Sequence, residues 1–317
     1  MKILFVGYRD KRHSKFGGYD YIAHLPGADY FDAAKFPFGS IPVGKKGKKL
    51  NLLYLDFFTR LQAKKYDVVH YFYSDFMLFR KLPKQRKCKF IATVHMKSEN
   101  FLKKQLSILK SFDNVICLSS SEEKSLREKG INAFFVPHGF NKPIFSFKTP
   151  ENFDNTKINI FYSGMNYRDF DTFLKIVDFS KQEGLDICFY VVGQSKENKE
   201  RLFNKENVVI CPRLSDDEYY SLLSLCDYNF LPMTFSTANN ALLEAQSLGI
   251  TSILPKIPGV LDYANENENV FYSSLSDLYK SFSILVKKNV NRALMQHSEK
   301  FLWKEIYKKF ENIYSGR

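Results

Sequence analysis

The chain has 317 residues, 44% of them hydrophobic and 26% charged, with a formal net charge of +13. This length can bury the cores of two ordinary domains, and the composition excludes an intrinsically disordered chain. No apolar run approaches the roughly 20 residues that span a bilayer, and the first residues predict a short strand rather than a signal peptide. The five cysteines form no Cys-x-x-Cys pair, so we expect reduced core thiols in a cytoplasmic protein.

The positive charge is concentrated in the first half of the chain. Residues 1–150 hold 28 Lys+Arg and 12 Asp+Glu, whereas residues 151–317 hold 19 and 22. Such asymmetry predicts an anionic partner, which is a membrane surface, a phosphorylated acceptor or nucleic acid, although a solvated face kept soluble by lysines remains the alternative. Nucleic acid is not expected as the partner, because no nucleic-acid-binding module is recognisable. The densest basic runs supply the candidates for an acceptor or membrane face, which are Lys45, Lys46, Lys48, Lys49, Lys84, Arg86 and Lys87.

Strand and helix signals alternate along both halves. In the first half, strands are predicted at 2–7, 67–72, 89–95, 114–118 and 133–137, and helices at 50–65, 100–112 and 119–129. A polar, proline-containing linker follows at 141–157. In the second half, strands are predicted at 158–164, 186–193, 207–211, 228–232 and 250–254. Its helices are predicted at 169–184, 196–203, 215–225, 277–288 and 291–314, with one more between the last two strands.

This alternation predicts an α/β fold with two doubly wound, parallel-sheet domains of the Rossmann-like type. We place the first domain at 1–145 and the second at 146–300, and we expect the two to face a cleft. Ligands bind such sheets at the carboxyl ends of the strands, where the chain enters the next helix. Candidate site residues are therefore sought at those positions.

The segment 237–254 reads as loop, helix and strand, with Thr237 as the candidate helix N-cap and Gly249 just past the helix end. The free N–H groups and dipole of this helix start, at Asn239 and Asn240, predict an anion site. Glu244 lies seven residues beyond Thr237, about 10 Å further along the helix at roughly 1.5 Å per residue. A diphosphate at the helix start would bring a ribose to the Glu244 carboxylate, which can accept from vicinal hydroxyls. A solvated glutamate on an ordinary crossover helix is the alternative interpretation.

Two further positions follow strands of the first half. Gly17 and Gly18 lie beyond the first strand, where the lack of side chains lets backbone approach a diphosphate closely, although such a pair also occurs in ordinary turns. His95 ends the strand predicted at 89–95, where it is either a site residue or a structural histidine. No Asp-x-Asp pair ends a strand and the six histidines do not cluster, so no metal site is predicted.

The segment 239–249, Asn-Asn-Ala-Leu-Leu-Glu-Ala-Gln-Ser-Leu-Gly, resembles the nucleotide-sugar motif of retaining GT-B glycosyltransferases, family 4 in particular. Further matches lie in the expected order over nearly the whole chain. They are Gly17-Gly18, His95, Val115-Ile-Cys-Leu-Ser119, Val136-Pro-His-Gly139, Phe161-Tyr-Ser-Gly164 and Tyr190-Val-Val-Gly193.

The resemblance implies the GT-B fold, with residues 301–317 forming a helix that packs back on the first domain. It implies transfer of a sugar from a UDP- or GDP-linked donor to a glycan or lipid-linked acceptor, with retention and without metal or other cofactor. His95, against the donor sugar, and Glu244 would be the catalytic residues. The setting would be bacterial surface polysaccharide or glycoconjugate assembly, with the protein peripheral on the inner face of the membrane.

Several donor-site positions match the family pattern only in part. Gly164 lets the chain turn beside the phosphates, but the arginine that usually follows is replaced by Met165. Arg168 matches the family's lysine across an apparent deletion and would neutralise the diphosphate, or else is a solvated loop arginine. Arg213 is a further candidate, by its place past a strand. Ser236 replaces the acid that the family often carries eight positions before the motif glutamate, so a non-catalytic partner subunit and a GT-B sugar-nucleotide epimerase remain alternative functions.

Overall fold

The computed structural model describes residues 1–9, 16–35, 45–150 and 153–316, with the backbone alone at residue 34 and residues 45–50. The chain divides into two compact units. Unit 1 comprises Met1–Asn141 together with Phe301–Arg317, and unit 2 comprises Lys142–Lys300. The division assigns the last helix of the chain to the unit that contains its first strand.

Unit 1 is built on a six-stranded sheet in which every pairing is parallel. The strands are β1 (Ile3–Gly7), β2 (Asp29–Asp32), β3 (Val68–Tyr71), β4 (Lys89–Val94), β5 (Asn114–Cys117) and β6 (Ala133–Phe135), in the order β2-β1-β3-β4-β5-β6. The α-helices are α1 (Lys45–Gln62), α2 (Lys103–Leu109), α3 (Ser120–Glu128) and the C-terminal helix (Trp303–Ser315). The inner strands are buried on both faces, which explains why they read as continuous apolar runs rather than as alternating patterns.

Unit 2 repeats this plan with a second all-parallel sheet. Its strands are β7 (Ile158–Ser163), β8 (Ile187–Val192), β9 (Val208–Ile210), β10 (Tyr228–Phe230), β11 (Thr251–Pro255) and β12 (Val270–Tyr272), in the order β12-β11-β10-β7-β8-β9. Its helices are α4 (Phe170–Gln182), α5 (Lys196–Leu202), α6 (Asp216–Leu225), α7 (Asn240–Ser247), α8 (Pro258–Leu261), α9 (Leu275–Ser283) and α10 (Arg292–Ser298). The predicted α/β class with two parallel sheets is confirmed.

Sequence analysis did not predict two of the four edge strands, β2 and β12, and it merged the last two helices into one. Strand β2, Asp-Tyr-Phe-Asp, is short and half-exposed and has an acid at each end, so it carries no buried-strand signal. The predicted helix at 291–314 is interrupted between Ser298 and Trp303, where the chain forms a short 3-10 turn before the C-terminal helix begins.

A buried histidine joins the C-terminal helix to the centre of the first sheet. The ring of His70, on β3, is within 2.7 Å of the Tyr314 hydroxyl through Nδ1 and of the Thr93 hydroxyl through Nε2. Burial lowers the pKa of His70 to about 3, so the ring is neutral and each nitrogen is satisfied by a hydroxyl. The start of the C-terminal helix also packs closely against Gly139. A Cβ added at Gly139 would lie 2.3 Å from the Trp303 ring, so no larger residue fits there without displacing the tryptophan.

Candidate functional site

Helix α7 begins at Asn240 and is capped by Asn239, not by Thr237 as predicted. The Asn239 side chain accepts a hydrogen bond from the Leu242 amide at 3.3 Å, as an N-cap residue does. Thr237 was the wrong choice because Asn239 is an equally good capping residue two positions later, and sequence periodicity places helix ends only to within a few residues. The side chain of Asn239 is therefore engaged with the helix itself, while Thr237 lies in the loop that leads to it.

Glu244 is buried, which rules out the interpretation as a solvated helix glutamate. Only 6% of the residue is exposed. Its two carboxylate oxygens accept hydrogen bonds from neighbouring tyrosines of α6, with the Tyr219 hydroxyl at 3.2 Å and the Tyr220 hydroxyl at 3.1 Å. Burial raises the pKa of Glu244 to about 7, against the smaller opposing effect of the two tyrosine donors. Such a group changes charge near neutral pH, which is typical of functional sites.

The end of strand β7 holds a second part of the predicted donor site. Gly164 adopts φ +84°, a conformation that favours glycine. Arg168 folds back over this turn, because its Nε donates to the Ser163 carbonyl oxygen at 2.9 Å and a Cβ added at Gly164 would lie 3.3 Å from its guanidinium. Burial lowers the pKa of Arg168, which nevertheless stays a cation at neutral pH. On the other side, the Gly164 carbonyl accepts from the Gln194 side chain at 2.8 Å.

Tyr219 connects these two parts. Its hydroxyl lies 3.2 Å from the Glu244 carboxylate and 3.2 Å from the Ser163 hydroxyl. The structure thus brings Glu244, Gly164 and Arg168 together at the carboxyl end of β7, although 80 residues of sequence separate the glycine from the glutamate. Arg213 is exposed in the loop between β9 and α6, and no contact joins it to this group in the described structure.

In unit 1, His95 lies at the carboxyl end of β4 and is held by Asp75. The Asp75 carboxylate accepts from the backbone amides of His95 and Met96, each at 3.0 Å. It also lies 3.2 Å from Nδ1 of the His95 ring, and the Asp75 side chain is completely buried. A carboxylate in this place favours the proton on Nδ1, so it fixes both the ring orientation and the tautomer.

Aromatic rings surround His95. Tyr19 and Tyr73 have ring centroids 4.9 and 4.7 Å from that of His95. Tyr19 also contacts the ring of His138, with ring centroids 5.0 Å apart, and His138 donates from Nδ1 to the Gly139 carbonyl oxygen, which fixes its tautomer. Gly17 and Gly18 are buried and lead directly into Tyr19, so the glycine pair belongs to the same neighbourhood as His95.

Three of the basic candidates of unit 1 do not share the His95 end of the sheet. Lys84, Arg86 and Lys87 precede β4, whereas His95 follows it, and six strand residues span about 20 Å. They line a cavity of about 330 Å³ at the amino end of the strands. Arg86 has a structural partner there, because it pairs with Asp113 at 2.8 Å. The remaining candidates, Lys45, Lys46, Lys48 and Lys49, have side chains that lie outside the described residues.

Sequence reasoning missed Asp75, Tyr219, Tyr220 and Gln194. Asp75 follows β3, next to β4 in the sheet, so its proximity to His95 could have been inferred from strand adjacency. The tyrosines gave no signal, since they read as ordinary residues of an amphipathic helix. Within the described part of the chain, no three His, Cys, Asp or Glu side chains are grouped as a metal site would need, and no helix is long and apolar enough to cross a membrane.

Comparison with known proteins shows what the chain is similar to. Residues 156–287, which include β7, α6 and α7, match the family model described as glycosyl transferases group 1. A search of curated proteins by sequence finds no significant match.

Among solved structures, sucrose-phosphate synthase from Thermosynechococcus elongatus is similar over 99% of this chain and 88% of its own, with a TM-score of 0.71 and 17% identity. Anabaena HepE (Alr3699), solved in complex with UDP and glucose, covers 100% of both chains with a TM-score of 0.68 and 14% identity. The apo form of the lipopolysaccharide outer core galactosyltransferase WaaB also covers 100% of both, with a TM-score of 0.69 and 15% identity. The chain therefore has the GT-B glycosyltransferase fold, and residues 156–287 carry the sequence pattern of the glycosyl transferases group 1.

Proposed function

We propose that this protein is a glycosyltransferase that moves a sugar from a nucleotide-diphosphate sugar to a glycan or lipid-linked acceptor. The observation that carries the proposal is the buried Glu244 carboxylate, joined through Tyr219 to the end of β7, where Gly164 and Arg168 lie. HepE has been solved with UDP and with UDP-glucose, which favours a UDP-linked donor here as well.

In this proposal unit 2 binds the nucleotide. The ribose hydroxyls donate to Glu244, in competition with its tyrosine partners, and burial makes that hydrogen bond stronger than it would be in water. The exposed backbone at Gly164 admits the diphosphate, and Arg168 stabilises the negative charge that develops on it as it leaves. The backbone amides at the start of α7, near Thr237 and Asn240, supply further donors.

Unit 1 supplies the acceptor site, and with it His95 for the donor sugar and the glycine pair for the diphosphate. As the bond between the sugar C1 and the diphosphate oxygen breaks, the acceptor oxygen bonds to C1 on the same face of the sugar and its proton passes to the departing phosphate. This route gives retention and needs neither a metal nor a base from the protein. Asp75 keeps the His95 ring in one orientation beside the donor sugar.

The acceptor is proposed to be a glycan or lipid-linked intermediate in bacterial surface polysaccharide assembly. The charge of unit 1 supports this choice, with 30 Lys+Arg against 14 Asp+Glu, whereas unit 2 has 17 against 20. A phosphate-bearing lipid acceptor at the inner membrane surface would be attracted to the basic unit. The protein itself would then be cytoplasmic and peripheral on that surface.

The first test is a thermal shift measured with UDP, GDP, ADP and CMP. Because a ligand that binds only the native state stabilises it by mass action, the donor nucleotide raises the melting temperature. Glu244→Ala should abolish the shift, whereas Glu266→Ala, which removes an exposed loop carboxylate of the same unit, should keep it. If no nucleotide shifts the wild type, the proposal fails in favour of a non-catalytic partner subunit. Conversion of the donor sugar without an acceptor, followed by NMR, would instead identify an epimerase.

A further inference from the structure

Helix α1 has two apolar faces, only one of which packs against the sheet of unit 1. Leu52, Leu55 and Ala63 are buried in the core of the unit. On another side of the helix, Phe57 and Leu61 are 56% and 58% exposed, and Tyr54, one turn earlier, is 39% exposed. The spacing of three and four residues aligns these three side chains in one stripe about 10 Å long. Burial in the core of the unit therefore does not explain why Phe57 and Leu61 are apolar.

The charges around this stripe are positive. Between residues 45 and 66 the only acid is Asp56, which is buried and paired with Arg60 at 3.0 Å, and which also accepts from the Tyr71 hydroxyl. Lys64 and Lys65, directly after the helix, are both exposed. No acid of α1 is therefore available to offset the cations on its exposed surface.

Arg60 brings two further cations alongside the helix. Its guanidinium donates to the carbonyl oxygens of Arg80 at 2.9 Å and Lys81 at 3.1 Å. The side chains of Arg80 and Lys81 are exposed, so the loop that carries them adds positive charge beside Arg60 of α1. The lysines of the first turn of α1 extend the basic sequence beyond the other end of the stripe, although their side chains lie outside the described residues.

We propose that Tyr54, Phe57 and Leu61, with Lys64, Lys65, Arg80 and Lys81, form a docking surface for a bilayer that contains anionic lipid. An interfacial helix binds in this way when apolar and aromatic side chains enter the boundary between headgroups and acyl chains and flanking cations meet the headgroup charge. The inference deepens the proposed function by assigning the surface that brings the enzyme to a lipid-linked acceptor. Binding to the bilayer itself requires neither nucleotide nor acceptor.

Co-sedimentation of the full chain with vesicles tests the proposal. Vesicles of phosphatidylcholine containing phosphatidylglycerol should retain the wild type at low salt, and pure phosphatidylcholine or high salt should release it. Phe57→Ser combined with Leu61→Ser should lower the partition coefficient about tenfold. Lys64→Ser combined with Lys65→Ser should lower it about fivefold per lysine removed.

The matched control is Phe203→Ser, which removes a phenylalanine that is 81% exposed in unit 2 and should leave partitioning unchanged. Equal binding of the wild type and the Phe57/Leu61 variant would overturn the proposal. So would a wild-type dimer in sedimentation analysis that the same variant dissociates, because the stripe would then be covered by a second copy. The nucleotide thermal shift of this variant should match that of the wild type, which separates failure of the docking surface from failure of the donor site.

Discussion

Glu244→Gln should remove a pH dependence of stability that the buried carboxyl imposes on unit 2. The pKa of Glu244 is raised from 4.5 to about 7 in the folded protein. Between these values the folded state holds a proton that the unfolded chain has released, so the free energy of unfolding falls as the pH rises from 4.5 to 7. At about 1.4 kcal/mol per pKa unit, the loss amounts to roughly 3 kcal/mol. Glutamine stays neutral, so the variant lacks this loss.

The assay is denaturant unfolding of both proteins, without nucleotide, from about pH 5 to about pH 8. Circular dichroism is the appropriate probe, because the single tryptophan, Trp303, lies in unit 1 and its fluorescence reports the other unit. The stability of the wild type relative to the variant should fall steadily up to about pH 7 and then level off. A difference that stays constant, or that rises with pH, would refute a protonated buried Glu244.

Nucleotide binding should lower the raised pKa of Glu244. Ribose hydroxyls that donate to Glu244 favour its ionised form, so binding near neutral pH should release up to one proton. Calorimetry in two buffers of different ionisation enthalpy measures this number. Proton uptake on binding, or full nucleotide binding by the wild type with no proton released, would contradict a contact between the Glu244 carboxylate and the ribose.

Three other substitutions test separate contacts. Asp75→Asn weakens the acceptor of the His95 ring and of two backbone amides. Turnover should then fall on the order of a hundredfold, while the thermal shift produced by UDP is kept. Loss of both the turnover and the thermal shift would indicate that Asp75 has a merely structural role. Tyr219→Phe removes one of the two donors to the buried Glu244 carboxylate. It should lower the free energy of unfolding, measured with denaturant at about pH 8, by about 1–2 kcal/mol. An unchanged free energy of unfolding would show that this hydrogen bond contributes nothing to stability. Gly259→Ala places a Cβ 1.7 Å from the Ser236 carbonyl oxygen and should lower the free energy of unfolding by about 3 kcal/mol. A melting temperature equal to that of the wild type would mean that the loop moves away from the added Cβ without cost.

The architecture could be predicted from sequence because its strands are buried on both faces. β4 and β7, rich in apolar and β-branched residues, were placed to within one residue at each end. The edge strands β2 and β12 were missed, whereas β6 and β9, which are also edge strands, were predicted, so a position at the edge of a sheet does not by itself hide a strand from sequence analysis.

For the candidate site, the sequence predicted only where each residue lies on its own strand or helix. His95 and Glu244 follow from a strand end and a helix start. The partners that fix their chemistry, Asp75 and Tyr219, come from other elements whose orientation depends on packing. Burial likewise decides the protonation of Glu244, and sequence alone left open whether that helix face was solvated.

Ser236, in place of the family's acid, lies in a loop that is held by its neighbours rather than by its own side chain. The residue is 5% exposed, and no partner for its hydroxyl exists among the described residues. The loop is fixed instead by main-chain contacts, since the Thr234 amide donates to the Tyr167 carbonyl at 3.1 Å and Gly259 packs against the Ser236 carbonyl. A serine in place of an acid therefore removes a negative charge from this loop without removing the contacts that hold the loop in place.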